Sequence, residues 1–357
     1  GKDTSEDAKV LSVAGGVAVL QIGDRVETAI PGRFVYSAVP ANLRARPTLV
    51  VKVNSNKAGD IPVSLSYLSR GLSWAADYVA ELSPDEKTIS LNGWVTLTNQ
   101  SGITYKDAKL QLVAGNVNQV QDFSLYGTDR WRDEDGAVDK KERMTEQAAF
   151  EYHLYSLDRP TTLKENQTKQ VAMLGATGVP VTKELLVRGA DYYYRSSVGD
   201  IGQKLKAGVY VEFANREAAR LGMPLPKGVV RVYKRDSAGN AQFVGEDRID
   251  HTAKNETVRL KLGDAFDVTA DKKQTDFKRR EPTNKASYVF ESAYEIVLRN
   301  AKTEAVAVTV REPVPGDWTM LEESQAHTKA AAGTAQWRVN VPAGGSTTLK
   351  YRVLVRY

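Results

Sequence analysis

Any chemistry this chain performs has to be built without a thiol, because its 357 residues include no cysteine. Disulfide frameworks, zinc-finger spacings and cysteine nucleophiles are all excluded. The three histidines, His153, His251 and His327, each stand alone, with no second His at i+2, i+3 or i+4. Each is read as a structural or surface residue rather than a metal ligand or acid–base group. No G-x-S-x-G elbow occurs, and "PAGGST" lacks both the GK[ST] and the following helix of a phosphate cradle. Carboxylates cluster in "GDAFD" (Asp264, Asp267) and "GEDRID" (Glu246, Asp247, Asp250). Glycosidases hold two carboxyls roughly 5 to 9.5 Å apart across a cleft, so a hydrolase with an unrecognised carboxylate site stays open as an alternative. The expectation is no catalytic residue and no cofactor.

A sharper pattern is "WRDEDGAVDKKE". Counted from Trp131, it puts Asp133, Asp135, Asp139 and Glu142 at the third, fifth, ninth and twelfth places, with Gly136 sixth, as in an EF-hand-type calcium loop. The first place, where Asp is wanted, holds Trp131, and no clear helix leads in. The metal expectation is therefore none, with those four acids as the residues a calcium ion would take.

Two further groups are of the binding type. "GADYYYRSSVGD" sets Tyr192, Tyr193 and Tyr194 in a row. On a strand Tyr193 would face away from its neighbours, leaving an aromatic for sugar rings or partner side chains unless both faces are covered. "DKKQTDFKRR" gathers Lys272, Lys273, Lys278, Arg279 and Arg280 around Phe277; it is a solvated loop or the anion-contacting part of a polymer site. Trp131 joins these as a third aromatic candidate.

The elements that would carry these residues are almost all strands. Period-two alternation recurs in "TISLNGWVTLTN", "TVRLKL", "QWRVNV" and "TLKYRVLVRY", each with one apolar and one polar face, as in antiparallel sheets. "YLSRGLSWAADYVAEL" reads the same way, with Trp74 and Tyr78 turned into a core and Asp77 and Glu81 outward. Asn99, Asn215 and Asn300 each close an alternating strand before a polar loop, where Asn tolerates left-handed backbone and bonds neighbouring N–H groups. Helix signals are confined to "DKKERMTEQAAFEY" (139 to 152) and a short turn in "NREAARLG" ending at Gly222.

The fold class expected is all-β: a small N-terminal barrel-like module over 1–60, then two antiparallel β-sandwich domains of immunoglobulin or fibronectin type over 61–205 and 206–357. A charged, mobile insertion is expected near 124–150. The net charge of +5 is small for this length and spread over strand faces, which argues against nucleic acid. No run of 18 apolar residues is present, so no transmembrane segment is expected. Gly1-Lys2-Asp3 is not a natural start, so a signal peptide is expected to lie outside these residues.

"GWVTLTNQSGITYKDAKLQLVAGNVN", "FEYHLYSLDRPTTLKENQTKQVAML", "LPKGVVRVYKRDSAGNAQFVGEDRIDHT", "LKLGDAFDVTADKKQTDF" and "VPAGGSTTLKYRVLVRY" in this order resemble the DUF4139 family, a domain of unknown function found in mucoidy-inhibitor-like bacterial envelope proteins. The resemblance runs from about residue 60 to the last. It implies an exported, β-rich envelope protein, periplasmic or extracellular, and no catalytic motif to carry over. The function expected is that of a non-enzymatic protein acting through contacts, with an unknown envelope protein or a surface polysaccharide as partner. The alternative is a glycan- or anionic-polysaccharide-binding module.

Overall fold

The computed structural model describes residues 6–14, 17–28, 48, 50–56, 58–115, 138–149, 152–282 and 288–357. The chain divides into two compact units, residues 1–66 and 67–357. In the first, β1 (Ala8–Ala14), β2 (Val17–Ile22) and β3 (Arg25–Glu27) form an antiparallel three-stranded sheet, turned between β2 and β3 at Gly23, whose φ is +58°. The part of the expected N-terminal module over residues 29–47 falls outside the described residues.

In the second unit the alternation becomes strands in order. The first half holds β4 (Leu72–Leu82), β5 (Thr88–Asn99), β6 (Tyr105–Ala108), β7 (Gln111–Ala114), β8 (Val138–Ala149), β9 (Tyr152–Leu157), β10 (Thr161–Leu163) and β11 (Gln167–Arg188). There follow β12 (Asp200–Ala214), β13 (Gly228–Arg235), β14 (Ala241–Ile249), β15 (Thr257–Arg280) and β16 (Val289–Asn300). The chain closes with β17 (Val306–Pro313), β18 (Asp317–Glu323), β19 (Thr328–Ala331), β20 (Thr334–Val341) and β21 (Ser346–Arg356). Among the described residues there is no α-helix, and no helix long and apolar enough to cross a membrane. One continuous path runs β14-β13-β4-β5-β11-β12-β15-β16-β21-β18. Pairing is mostly antiparallel; β13 with β4, β17 with β11 and β8 with β11 are parallel.

The β4 pattern matches its alternation. Ala76, Tyr78, Ala80 and Leu82 are buried, Trp74 is half-buried at the core's edge, and Asp77 and Glu81 face Arg231 and Arg235. The Tyr78 hydroxyl donates to the Pro226 carbonyl at 2.7 Å, which satisfies its polar tip inside the core.

Two cores result, each between facing sheet layers. The first joins β4, β5 and the N-terminal half of β11 to Leu112, Met144, Tyr155 and Leu163, and takes in Phe213, Val230, Val232, Ile249, Val258 and Leu260. The second joins Leu185 and Val187 to Val268, Tyr294, Ile296, Val308, Trp337, Tyr351 and Val353. The division expected near residue 205 thus has residues of the first core on both sides of it. Three long strands, β11, β12 and β15, contribute to both.

Two expectations are corrected. Where the helix was expected over 139–152, the described residues are strand, in β8 to Ala149 and in β9 from Tyr152: β8 pairs with β9 and β11, and tertiary pairing overrides the helix propensity of its Lys, Glu and Gln. Of the mobile insertion expected at 124–150, residues 124–137 and 150 lie outside the described residues, and 138–149 are β8. The short turn is present as a 3₁₀ segment at Glu217–Ala219, followed by Gly222 at φ +108°.

The three strand-ending asparagines are all buried, but none has positive φ among the residues that do. Their role is hydrogen bonding. Asn99 Nδ2 donates to the carbonyls of Ile103 and Lys164 at 2.8 and 2.9 Å, and Oδ1 accepts from Ser101 N. Asn300 repeats this with Glu304 and Pro342 at 2.8 and 3.1 Å and with Lys302 N. Asn215 does so with Met223, Ala253 and Gly222 N. One amide pins the corner to two neighbouring turns.

Candidate functional site

Alternation along β15 puts Val268, Ala270, Lys272 and Gln274 on one buried face. The stretch from Lys272 to Arg280 is therefore strand rather than solvated loop, and its charges divide between two faces. Lys272 points into the second core. Lys278 meets Asp276 at 2.9 Å, and Arg280 meets Glu291 at 2.6 Å. Arg352 reaches both acids at 2.8 Å. These carboxylates sit below their usual range: Asp276 falls to about 2, chiefly through its bonds to Arg352 and Lys278, and Glu291 is lowered first by Arg280. Lys273 is exposed.

The tyrosine row is a 3₁₀ turn, Asp191–Tyr194, not a strand. Its pitch sets the three rings at different depths, with Tyr192 and Tyr193 meeting edge to face at 4.6 Å. Tyr192 is 59% exposed, Tyr193 is half-buried, and Tyr194 is fully buried.

Tyr194 and Lys272 meet at Glu312, a residue the sequence reading missed. Glu312 follows Val308 and Val310 on the inward face of β17, so the same period-two count that placed the valines would have marked an acid in the core. Lys272 Nζ lies 2.5 Å from Glu312 Oε2, and both side chains are essentially inaccessible. The Tyr194 hydroxyl donates to the same oxygen at 3.2 Å and lies 3.0 Å from the Tyr351 hydroxyl. No protein group among the described residues bonds to Glu312 Oε1, which is also buried. Above the pair, Nζ sits 4.5 Å from the Tyr193 ring centre and 5.5 Å from that of Tyr294. Tyr294, Tyr351 and Trp337 stack in sequence, with centroids 5.0 and 4.8 Å apart. Burial pushes the Lys272 amine down against the pull of Glu312. It drives Tyr194 and Tyr351 far above the ordinary phenol value and Tyr294 up to about 12.

Further along, the register of β15 on β16 shifts between Gln274 and Asp276, so odd-numbered residues continue the inward face. Register places Arg279 opposite Phe290 and Phe277 opposite Ser292, and backbone bonds join Tyr288 to Tyr357. The rings form a strip: Phe277 and Phe290 at 5.5 Å, Phe290 and Tyr288 at 6.4 Å, Phe290 and Tyr357 at 5.9 Å. Two guanidiniums lie on it, Arg279 over Tyr288 at 5.4 Å and Arg195 over Tyr357 at 5.2 Å. Tyr288 is half exposed. Arg195 directly follows the tyrosine row, so the fold brings Tyr192–Tyr194 and Arg279 to one region that sequence spacing keeps apart.

The remaining expected residues scatter. Trp131, Asp133 and Asp135 lie outside the described residues. Asp139 and Glu142 belong to β8, an extended segment rather than the coiled end of a calcium loop. No group of three His, Asp or Glu suited to a metal occurs among the described residues. His153 meets Glu146 at 2.8 Å, and His327 meets Glu323 at 3.0 Å between the rings of Trp318 and Trp337. His251 Nδ1 accepts from Lys227 N. Glu246 faces Arg231, Asp264 faces Lys261, and Asp247 accepts from Lys261 N at 2.7 Å. A groove of about 410 Å³ mixes Glu295, Glu322 and Glu323 with Lys350 and Arg352, so its field largely cancels.

Compared with known proteins, residues 63–357 match the model of the domain of unknown function DUF4139. No curated protein matches the chain.

Proposed function

The chain belongs to the DUF4139 family, and from that premise we propose that it is a non-enzymatic, exported envelope protein that works by contact, using the aromatic–arginine strip to hold an acidic glycan. The observation that carries this reading is the run Phe277, Phe290, Tyr288 and Tyr357 with Arg279 and Arg195 laid on it. Flat aromatic faces suit the C–H faces of sugar rings. A guanidinium presents the planar fork that a carboxylate accepts. Here each cation lies over a ring face, which holds a guanidinium without taking up its charge in an ion pair. Three basic residues nearby are engaged otherwise: Lys278 and Arg280 by acids on the opposite face, Lys272 in the core.

The test is co-sedimentation with alginate, a polyuronate, against neutral dextran. Retention on alginate that disappears in Arg279→Glu and in Phe290→Ala supports the reading. No retention, or retention equal on dextran and unchanged in both variants, overturns it.

A further inference from the structure

The pair Lys272–Glu312 has no part in that surface, and as an ion pair it is poorly provided for. Two opposite charges buried together lose more hydration than their attraction returns unless further bonds satisfy them. Glu312 Oε1 has no such bond, and Nζ has ring faces rather than oxygens above it. We propose that Lys272 and Glu312 form a covalent amide, an intramolecular cross-link between β15 and β17 that fastens the two layers of the second core.

The geometry is that of two reactants already in contact. Nζ lies 2.5 Å from Oε2, so the amine is seated against the carboxyl group, and such confinement replaces a bimolecular encounter by an effectively unimolecular step. The step balances without any other reactant. Once the ammonium proton has passed to the carboxyl group within the pair, the amine adds to Cδ, and the C–N bond forms. The nitrogen gives up one proton to the departing oxygen, the Cδ–Oε1 bond breaks, and one water leaves. No electron is gained or lost, and the pair carries zero net charge before and after. Oε2 remains as the amide carbonyl and already accepts from the Tyr194 hydroxyl, which stabilises negative charge on it as the tetrahedral intermediate forms. The oxygen that leaves is the one that no protein group holds. The Tyr193 ring, 4.5 Å from Nζ, offers the remaining N–H an acceptor.

Burial favours product as well as rate. In water an amine and an acid ionise, and that ionisation opposes condensation. Here the aromatic enclosure penalises the charged forms and holds the Lys272 amine toward neutrality.

Intact-mass spectrometry of the folded chain decides the matter. The expected mass is below that of the sequence by one water, and a tryptic digest should contain a branched peptide joining the Lys272 and Glu312 segments, uncut at Lys272. Lys272→Met and Glu312→Ala should each restore the full sequence mass. A wild-type chain at full mass with linear peptides overturns the proposal. So does a water deficit that persists in Lys272→Met. Should either variant fail to fold, the wild-type branched peptide alone gives the answer.

Discussion

Gly189 lies against Glu312 where no larger residue fits: a Cβ built on it would collide with the carboxylate. The residue that admits the acid to the core is thus the one just past the end of β11, and its N–H bonds to the Arg311 carbonyl at 2.9 Å. Gly189→Ala should displace Glu312 from Lys272 and destabilise the chain by about 1–3 kcal/mol, as for overpacking. Urea denaturation measures this; a midpoint equal to wild type would show that the carboxylate has room to move.

Asn300→Ala should remove one amide that serves two turns, at about 0.5–1.5 kcal/mol for each hydrogen bond lost. Asn300→Asp should not rescue it. Aspartate keeps the acceptor for Lys302 N but presents a carboxylate to the carbonyls of Glu304 and Pro342. Thermal melts of the two variants side by side make the comparison, and a wild-type Tm for Asn300→Asp would deny the donor role.

Tyr78→Phe should cost about 1 kcal/mol, the net worth of a typical hydrogen bond, because the Pro226 carbonyl loses its donor. Tyr78→Ala should cost about 3–5 kcal/mol, as for a large core aromatic. Equal effects in the two variants would mean that the ring's packing contributes little.

Acid should weaken the second core's outer face. Asp276 and Glu291 have lowered carboxyl pKa values in the folded chain because they bond to Arg352, Lys278 and Arg280. A depressed acid stabilises above its unfolded value, 3.8 for Asp276, and loses that contribution as pH falls toward its folded value of about 2. Denaturation midpoints should therefore drop between pH 4 and about pH 2 on that account, and Arg352→Ala should flatten the drop. An unaltered pH slope in Arg352→Ala would remove these acids from the explanation.

Binding to alginate should fall steeply with salt, because exposed charges are screened beyond roughly 8 Å at physiological ionic strength. Charge reversal at Lys278 and Arg280 should matter less than reversal at Arg279, since the first two are answered by Asp276 and Glu291. Isothermal titration with oligouronates at two salt concentrations tests the ranking; the reverse order would move the site to the outer face.

The strands were legible from the sequence because alternation is local: Ala76, Tyr78, Ala80 and Leu82 declare their face without reference to any partner. The three asparagines were legible as strand ends for the same reason, though their partners, 38 to 65 residues away for the far turns of Asn99 and Asn215, were not. The site was legible only in pieces. Tyr192–Tyr194 and Lys272–Arg280 stood out as clusters of residue types, but which members are buried depends on pairing between β15 and β16 and on the 3₁₀ turn. Glu312 was passed over because an acid on an apolar face reads as noise until Lys272, 40 positions earlier, arrives beside it. The helix expected in 139–152 failed where strand pairing outweighed residue preference.

β11 has a further consequence for how this molecule comes apart. Its N-terminal half is held by β5 and its C-terminal half by β12 and β17, and between them it passes through a bulge at Ala176–Val179, with Gly178 at φ +68°, without leaving the sheet. A fluctuation that peels β11 from one neighbour pulls on the other through a continuous backbone. The two cores should then share one melting transition, and amide exchange along Gln167–Arg188 should slow to a common rate instead of stepping at the midpoint. A protease should then find its first cuts in the loops, with β11 cut late.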